Sequence, residues 1–272
     1  MKRKYTYVLL VILVTAALYY IERYVDRENQ PYPNTSGVEV SDIDSEFGEE
    51  YYPTSTTGVR VKHTYFQLSY AEKHEQAEWV AYELRKDQLS SNEIKRPYFV
   101  EDRDVKTGSA DWRNYKNSGY DRGHLCPAGD RRFDYDAFHE TFLTSNISPQ
   151  NHEFNSGIWN RLEQKVRYWA KKYDGVFVVT GGVLEKGLKT IGDERVSVPK
   201  EFYKIVVDAS GKEPKAIAFL IPNQKTSKSF YDFVVTVDEI ERKTGIDFFR
   251  ELSDSVEEKL ESNVDLKAWG KR

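Results

Sequence analysis

The stretch from residue 145 to residue 163 reads SNISPQNHEFNSGIWNRLE, and a second distinctive segment, YDRGHLCP, occupies residues 120–127. The first half of the longer stretch is rich in Asn and Pro, as turns are. Its second half begins a series of apolar residues at helical spacing, namely Ile158, Trp159, Leu162, Val166, Trp169 and Ala170. The stretch therefore predicts a turn that leads into a core helix. Helix capping alone would account for one of its Asn residues at most.

Short runs typical of strands flank this predicted helix. Residues 59–63 alternate between apolar and polar side chains, and residues 175–180, 202–207 and 216–221 are β-branched or aromatic runs bounded by Gly, Asp or Pro. Residues 71–84 fit either a helix or an extended edge segment, and residues 229–243 predict a second amphipathic helix that Gly245 ends. This order of elements predicts an α+β domain in which helices pack on a sheet.

The N-terminus has a different character from the rest of the chain. Residues 1–4 start with a basic cluster and residues 5–21 are almost wholly apolar, which predicts a signal anchor or transmembrane segment over residues 1–25. The apolar run is slightly shorter than the roughly 20 residues of a spanning helix. A cleaved secretory signal therefore stays open beside the favoured uncleaved anchor. Either one predicts a domain outside the cytoplasm, periplasmic or extracellular, which is secreted if the signal is cleaved.

Charge and cysteine content limit the remaining possibilities. Residues 1–4 carry +3 and residues 26–58, with three prolines and eight acidic residues, carry −7, so residues 59–272 are neutral overall. We expect an acidic flexible linker over 26–58 and one folded domain over 59–272. A neutral domain can bind nucleic acid through local basic clusters, although it lacks the footprint of a dedicated binder. The single cysteine, Cys126, rules out an internal disulfide and a cysteine zinc cluster.

The segment at 120–127 contains a candidate general base. His124 has an ordinary imidazole pKa near 6.5, so it is mostly neutral and able to accept a proton at neutral pH. A histidine taken alone is more often structural than catalytic. Nearby basic residues could form a phosphate-binding rim or an ordinary solvated surface, and they are Arg113, Lys116, Arg131 and Arg132.

Together the two segments resemble the DNA/RNA non-specific endonuclease family, the ββα-metal (His-Me finger) nucleases that include secreted bacterial nucleases and mitochondrial endonuclease G. The family pattern Asp-Arg-Gly-His is intact at residues 121–124. Its downstream pattern falls on Asn146, Pro149, Gln150, Asn155, Trp159, Leu162 and Glu163. The resemblance extends more weakly to Arg96, to 179–181 and to 198–199, and it covers about residues 59–250. It implies a central sheet rich in antiparallel pairs, with packed helices.

The resemblance also implies an activity and a metal site. The activity would be Mg²⁺-dependent cleavage of DNA and RNA, with little sequence specificity and with Mn²⁺ as a possible substitute. His124 would be the general base, Asn155 the one direct protein ligand to the metal, and Glu163 the residue that holds metal-bound water. An α-helix that starts at Asn155 would place Glu163 about 12 Å along its axis and about 80° around it, a gap that water could bridge.

Three further roles follow from the same resemblance. Arg122 and Asn146 would support the site, and Arg96 would contact the scissile phosphate. The expected partners are DNA, RNA and, through the N-terminal helix, a membrane; a homodimer is possible. Two other functions stay open on the sequence alone: a non-catalytic, membrane-anchored nucleic-acid-binding module, and an anchored interaction protein that uses residues 26–58.

Overall fold

The computed structural model describes residues 2–29 and 47–270, and it divides into two compact units, Met1–Pro33 and Asn34–Arg272. The first unit contains helix α1 (Lys2–Asn29), whose side chains between residues 5 and 21 are exposed. Across the parts of the chain that the structure describes, no helix combines the length and apolar character needed to cross a membrane. The predicted helix is present, but its prediction as a transmembrane segment is not supported. Most of the predicted linker, residues 30–46, lies outside the described residues.

The second unit is built on a seven-stranded antiparallel sheet in the order β1-β2-β3-β6-β9-β10-β11. Its strands are β1 (Arg60–Lys62), β2 (Gln67–Ala71), β3 (Gln76–Arg85), β6 (Gly175–Gly182), β9 (Glu201–Asp208), β10 (Lys215–Pro222) and β11 (Val234–Val235). The four runs that the sequence identified as strands all belong to this sheet, so the predicted α+β class and its antiparallel sheet are confirmed.

A two-stranded sheet and a helix form a separate ββα motif. Strand β4 (Asp121–His124) pairs antiparallel with β5 (Ile147–Gln150), so that Asp121 faces Gln150 and His124 faces Ile147. The chain then passes through a π-helical turn (Phe154–Trp159) into α3 (Asn160–Tyr173). The short helix α2 (Tyr135–Glu140) lies between the two strands in sequence, and a second small hairpin joins β7 (Thr190–Ile191) to β8 (Val196–Ser197).

The two faces of the large sheet carry different layers. Alternate side chains such as Trp79 and Tyr203 join a core cluster with helices α4 (Val237–Thr244) and α5 (Asp254–Ser262). Their neighbours on the strands point to the opposite face, because side chains alternate along a strand. There Phe219 stacks on Trp169 of α3 at a centroid distance of 6.2 Å. The ββα motif and the pair α4 and α5 therefore lie on opposite faces of the sheet.

Three details differ from the sequence-based predictions. Residues 76–85 form an interior strand in place of a helix or an edge segment, since nearly all their side chains are buried between the two layers. The helix predicted over 229–243 begins only at Val237, where the Thr236 side chain caps it, after a short 3₁₀ turn at Phe230–Phe233. The folded domain, predicted to begin at residue 59, also includes packed residues from the predicted linker. The ring of Phe47 lies 5.4 Å from that of Phe177, and Trp79 Nε1 donates to the Thr54 carbonyl at 2.9 Å.

Candidate active site

The hairpin of β4 and β5 owes its close packing to Gly123. A Cβ at this position would lie 2.2 Å from the side-chain amide carbon of Gln150. Gln150 is fully buried, and neither atom of its amide has a hydrogen-bond partner among the described residues. The glycine thus lets the amide of one strand lie against the backbone of the other. Any larger residue would push β4, and His124 with it, away from β5.

The imidazole of His124 lies in an aromatic pocket. Phe99 and Phe142 approach it at centroid distances of 5.4 Å and 5.1 Å. Its Nε2 is buried and has no hydrogen-bond partner among the residues that the structure describes. Burial, together with the positive charges of Arg96 and Arg122, lowers the pKa of His124 to about 3. The ring is therefore neutral at neutral pH, which is the state a general base requires.

Two guanidinium groups share the aromatic surface beside this histidine. Arg122 lies 5.0 Å from the ring centroid of Phe99, and Arg96 lies 5.6 Å from Phe99 and 5.4 Å from Phe142. Burial lowers the pKa of Arg122, and the charge of Arg96 contributes. Within the described residues neither arginine has a carboxylate partner at salt-bridge distance. Two neighbouring cations without a counter-ion form a site that a phosphate group would neutralise.

Asn146 holds the chain immediately after the histidine. Its Nδ2 donates to the carbonyls of Cys126 and Thr141, at 2.9 Å each, and its Oδ1 accepts from the Cys126 amide at 2.8 Å. The side chain is fully buried, so it positions the backbone that follows His124 and does not reach solvent. Cys126 itself is a free, buried cysteine.

Asn155 lies in the π-helical turn and faces the start of β4. Its Nδ2 donates to Asp121 Oδ2 at 2.9 Å, and the same oxygen lies 2.9 Å from His152 Nδ1. This contact directs the amide nitrogen to Asp121 and leaves Oδ1 as the atom that could ligate a cation. The sequence assigned nothing to His152 and did not anticipate a carboxylate beside Asn155.

The helix around Asn155 is less regular than the sequence-based geometry assumed. Gly157 has φ −97° and ψ −106°, and it interrupts the helix between Asn155 and α3. The expected separation of about 12 Å between Asn155 and Glu163 assumed an uninterrupted α-helix and is therefore wrong. The interruption changes the direction in which each of the two side chains leaves the backbone, so their relative placement depends on the kink.

Glu163 projects from α3 into a cluster of buried charges. Its Oε2 lies 3.7 Å from Arg167 Nη2, and Arg167 Nε lies 2.5 Å from Asp130 Oδ1. The hydroxyl of Tyr82 donates to the other oxygen of Asp130 at 3.0 Å. Burial raises the pKa of Glu163, and the charges of Lys204 and Arg167 oppose this rise. Burial and the charge of Asp130 outweigh these two cations, so the pKa of Glu163 is raised overall.

Lys204 is the residue of this cluster that the sequence-based predictions missed. It lies on β9 and is fully buried, with its Nζ 4.7 Å from the ring centroid of Trp159 and without a hydrogen-bond partner among the described residues. Trp159 and Glu163 are four residues apart and so share one side of the helix. Burial lowers the pKa of Lys204, and the charge of Glu163 opposes this effect. A lysine inside the predicted buried strand 202–207 was the signal that could have identified it.

The predicted phosphate-binding rim is only partly accessible. Arg131 is 1% exposed, and its Nη2 donates to the carbonyls of Tyr65 and Glu83 at 2.8 Å and 3.0 Å, so it belongs neither to a rim nor to a solvated surface, the two alternatives that the sequence left open. A basic residue in a polar segment looks the same in sequence whether it faces solvent or the core. Arg113 pairs with Asp111 at 2.9 Å, and Arg132 donates to the Asn92 carbonyl at 3.1 Å.

A second group of potential metal ligands lies outside the ββα motif. His63 Nε2 is 2.8 Å from Asp102 Oδ2, and His63 Nδ1 is 3.5 Å from Asp104 Oδ2. Each ring nitrogen thus faces its own carboxylate, and Ser145 donates to Asp102 at 2.5 Å. Burial lowers the pKa of His63, but the hydrogen bond and charge of Asp102 outweigh it, so the pKa is raised. His63 and Asp102 are buried and Asp104 is exposed, and both ring nitrogens of His63 already have a carboxylate partner.

Comparison with known proteins identifies relatives of this chain. It is 33% identical over 222 residues to the mouse (Mus musculus) protein "Nuclease EXOG, mitochondrial". The aligned region covers 75% of this chain and 60% of that protein. It is 35% identical over 217 residues to a nuclease of the cyanobacterium Nostoc, covering 74% of this chain and 76% of that protein. The chain thus spans about three fifths of the EXOG relatives that it matches.

Solved structures and a family model agree with this similarity. A crystal structure of the EndoG/EndoGI complex contains a chain with a TM-score of 0.67 and 30% identity, covering 71% of this chain and 86% of that one. The model of the DNA/RNA non-specific endonuclease family matches residues 43–255, which include the ββα motif and start before Phe47. The chain therefore belongs to the DNA/RNA non-specific endonuclease family.

Proposed function

We propose that this protein is a metal-dependent endonuclease that hydrolyses phosphodiester bonds of DNA and RNA with little sequence specificity. The observation that carries the proposal is the neutral His124, whose buried Nε2 has no partner among the described residues, beside two guanidiniums that lack a carboxylate partner in the same part of the chain. A base next to a site for an anion is what the attack of water on a phosphodiester requires. Family membership supports the same reaction.

The chain's own groups can be assigned steps in this reaction. His124 takes a proton from the water that attacks phosphorus in line with the P–O3′ bond, this bond breaks, and the leaving 3′ oxygen takes a proton from solvent water. Arg96 and Arg122 hold the phosphate and balance the charge that grows on its oxygens. Asn146 keeps the backbone after His124 in place through its three hydrogen bonds. Contacts of this kind reach only backbone phosphate, which is why little sequence specificity is expected.

The residues around Asn155 fit Mg²⁺, with Mn²⁺ as a substitute. Asn155 is held by Asp121 so that Oδ1 remains for a ligand bond, and Glu163 is largely buried beside Lys204 and Arg167, whose charges oppose the rise that burial causes in its pKa. Oxygen donors and a sparse protein shell suit Mg²⁺, which keeps most of its waters, whereas zinc prefers nitrogen and sulfur ligands. Bound there, the metal would supply charge stabilisation to the pentavalent phosphorus. Asn155 would hold it directly and Glu163 through water.

The test is cleavage of a plasmid and of an unstructured RNA by the full-length protein in Mg²⁺, with EDTA as a blank. His124→Ala should lower the rate of both reactions by about 10²–10⁴-fold, the usual contribution of a general base. His74→Ala is the matched control, because His74 bonds to Ser197 away from the ββα motif and the variant should keep full activity. Binding of both substrates without turnover in the wild type would show a nucleic-acid-binding module and refute the enzyme.

The location and assembly of the protein are proposals that rest on the sequence alone. We infer that the basic and apolar N-terminal residues 1–25 direct the domain out of the cytoplasm, through a membrane anchor or a cleaved signal. Mass spectrometry of the mature N-terminus, with fractionation of membranes, distinguishes the two. Light scattering on the purified protein tests whether it forms a homodimer.

A further inference from the structure

Three carboxylates meet between α4 and α5. Asp238 and Glu241 lie one turn apart on α4, and Glu261 lies in the last turn of α5. One oxygen of each lies within 4.8 Å of the corresponding oxygens of the other two. Both helices pack on the face of the sheet that is opposite to the ββα motif. This group is therefore separate from the candidate active site.

Glu261 has an unusual environment for a carboxylate. It is only 8% exposed, and its Oε1 is buried with no hydrogen-bond partner among the residues that the structure describes. An ionised carboxylate is costly to bury unless a cation or several donors compensate it. Of its two partners, Glu241 accepts one hydrogen bond, from the Phe248 amide at 2.8 Å. The buried oxygen of Glu261 thus lacks a donor among the described residues, and one oxygen of the same carboxylate lies within 4.8 Å of oxygens of Asp238 and Glu241.

The basic residues near this group are engaged elsewhere. Arg242 donates to the backbone carbonyl of Asp238 at 3.3 Å, and Lys243 bonds to Glu201 at 2.5 Å. Lys259 of α5 forms an ion pair with Glu213. Across the described part of the chain, none of the three carboxylates has a lysine or arginine partner at salt-bridge distance. The negative charge of the group is therefore left for a ligand or a proton to balance.

Two more acidic residues increase the negative charge. Burial and the charges of Glu241, Glu257, Asp238 and Asp247 together raise the pKa of Glu261 to about 8. Repulsion of this kind disfavours the folded arrangement unless something positive binds between the helices. The position of Asp238 in the first turn of α4 offsets only a small part of it.

We propose that Asp238, Glu241 and Glu261 bind a Ca²⁺ ion that joins α5 to α4. Oxygens within 4.8 Å of one another can all lie 2.3–2.6 Å from one central ion. Three carboxylates of two helices provide a flexible, oxygen-only set to which water can add, and this suits Ca²⁺ better than the rigid octahedron of Mg²⁺. The absence of nitrogen and sulfur donors from this ligand set argues against zinc. The site does not depend on the proposed catalytic mechanism.

The experiment is a calorimetric titration of the full-length, EDTA-treated and dialysed protein with CaCl₂, together with thermal unfolding with and without Ca²⁺. Glu261→Gln and Asp238→Asn should each lower the number of bound Ca²⁺ ions by one. Wild-type Tm should rise by about 5 °C or more at Ca²⁺ concentrations near 100 times Kd, and both variants should lose this rise. Glu258→Gln removes the same charge from the exposed side of α5 and should behave as wild type.

Three results would overturn the proposal. One is a wild-type Tm that millimolar Ca²⁺ leaves unchanged relative to NaCl of equal ionic strength. Another is an unaltered Ca²⁺ stoichiometry in both variants. The third is a Glu261→Gln protein that is equally more stable with and without Ca²⁺, which would show that a shared proton, and not a cation, balances the group. Plasmid cleavage in Mg²⁺ should stay unchanged in Glu261→Gln, since Glu261 lies across the sheet from His124.

Discussion

The protonation state of His124 gives the most direct check on the site. Burial, with added repulsion from Arg96 and Arg122, lowers its pKa to about 3. At pH 5 a histidine with the ordinary pKa of about 6.5 would be about 3% neutral, whereas one with a pKa of about 3 would be about 99% neutral. The neutral, base-competent fraction at pH 5 thus differs by about 30-fold between the two cases. The sequence alone could not predict this difference.

The assay is an NMR pH titration of the histidine ring signals in the metal-free, substrate-free protein. Comparison with His124→Gln assigns the His124 signal. We expect it to stay at its neutral position from pH 8 to pH 5, while the signal of His63, whose pKa is raised by Asp102 despite burial, changes above pH 6.5. In the double variant Arg96→Gln, Arg122→Gln, the midpoint for His124 should rise toward the ordinary value, because two neighbouring cations are removed.

A His124 midpoint between pH 6 and pH 7 in the wild type would refute this account of the pocket. It would mean that Nε2 reaches water and that the two arginines lie further away than the structure places them. The lowered pKa also affects the stability of the fold. Since the unfolded chain binds a proton between pH 6.5 and the lowered pKa while the folded chain does not, His124 makes the fold less stable as pH falls through that range. His124→Gln should remove this part of the acid sensitivity.

Three further predictions concern residues around the site. In Lys204→Met, Glu163 loses a countercharge and the pKa of Glu163 rises, so cleavage at pH 7 should fall by about tenfold and recover at pH 9. The control Lys204→Arg should keep the wild-type pH–rate profile. Equal loss of activity of Lys204→Met at both pH values would contradict an electrostatic role of Lys204. Asn146→Ala leaves three buried backbone groups unpaired and should cost about 3 kcal/mol or more of unfolding free energy in urea; a loss below about 1 kcal/mol would show that water replaces the amide. For His63, whose folded pKa is raised, the stabilising charge is fully present below the unfolded pKa near 6.5 and is lost as pH rises through the folded pKa. The stability gap between wild type and Asp102→Asn should therefore be larger at pH 5.5 than at pH 9, and a gap independent of pH would argue against a charged His63.

Most of the sheet could be predicted because its signals are local, and the ββα motif could be expected because two short segments resemble a known family. Runs such as 175–180 and 202–207 are apolar and β-branched over the length of one strand, and they form β6 and β9. The failures have a common cause. The sequences of residues 76–85 and 229–236 fit a helix as well as the structure that they adopt. Contacts with the rest of the fold make the first a strand and the second mainly a 3₁₀ turn.

The assignment of residues 47–58 failed for a related reason. This part of the chain has prolines, serines and acidic residues, which are typical of a linker. Its aromatic residues nevertheless pack on a distant strand, as the contact of Phe47 with Phe177 shows. The composition of a segment indicates whether the isolated segment would be solvated. Whether the segment is buried depends on a complementary surface elsewhere in the fold.

The sequence by itself identified the family, because two short motifs carry the resemblance that implies the ββα motif and the roles of His124, Asn155 and Glu163. Only the tertiary structure decided what surrounds them. It placed Lys204 beside Glu163, turned Asn155 toward Asp121 and buried Arg131 in the core. Such contacts join residues far apart in sequence, through strand order and a kinked helix. They set the electrostatic environment of each site residue, which no local pattern encodes.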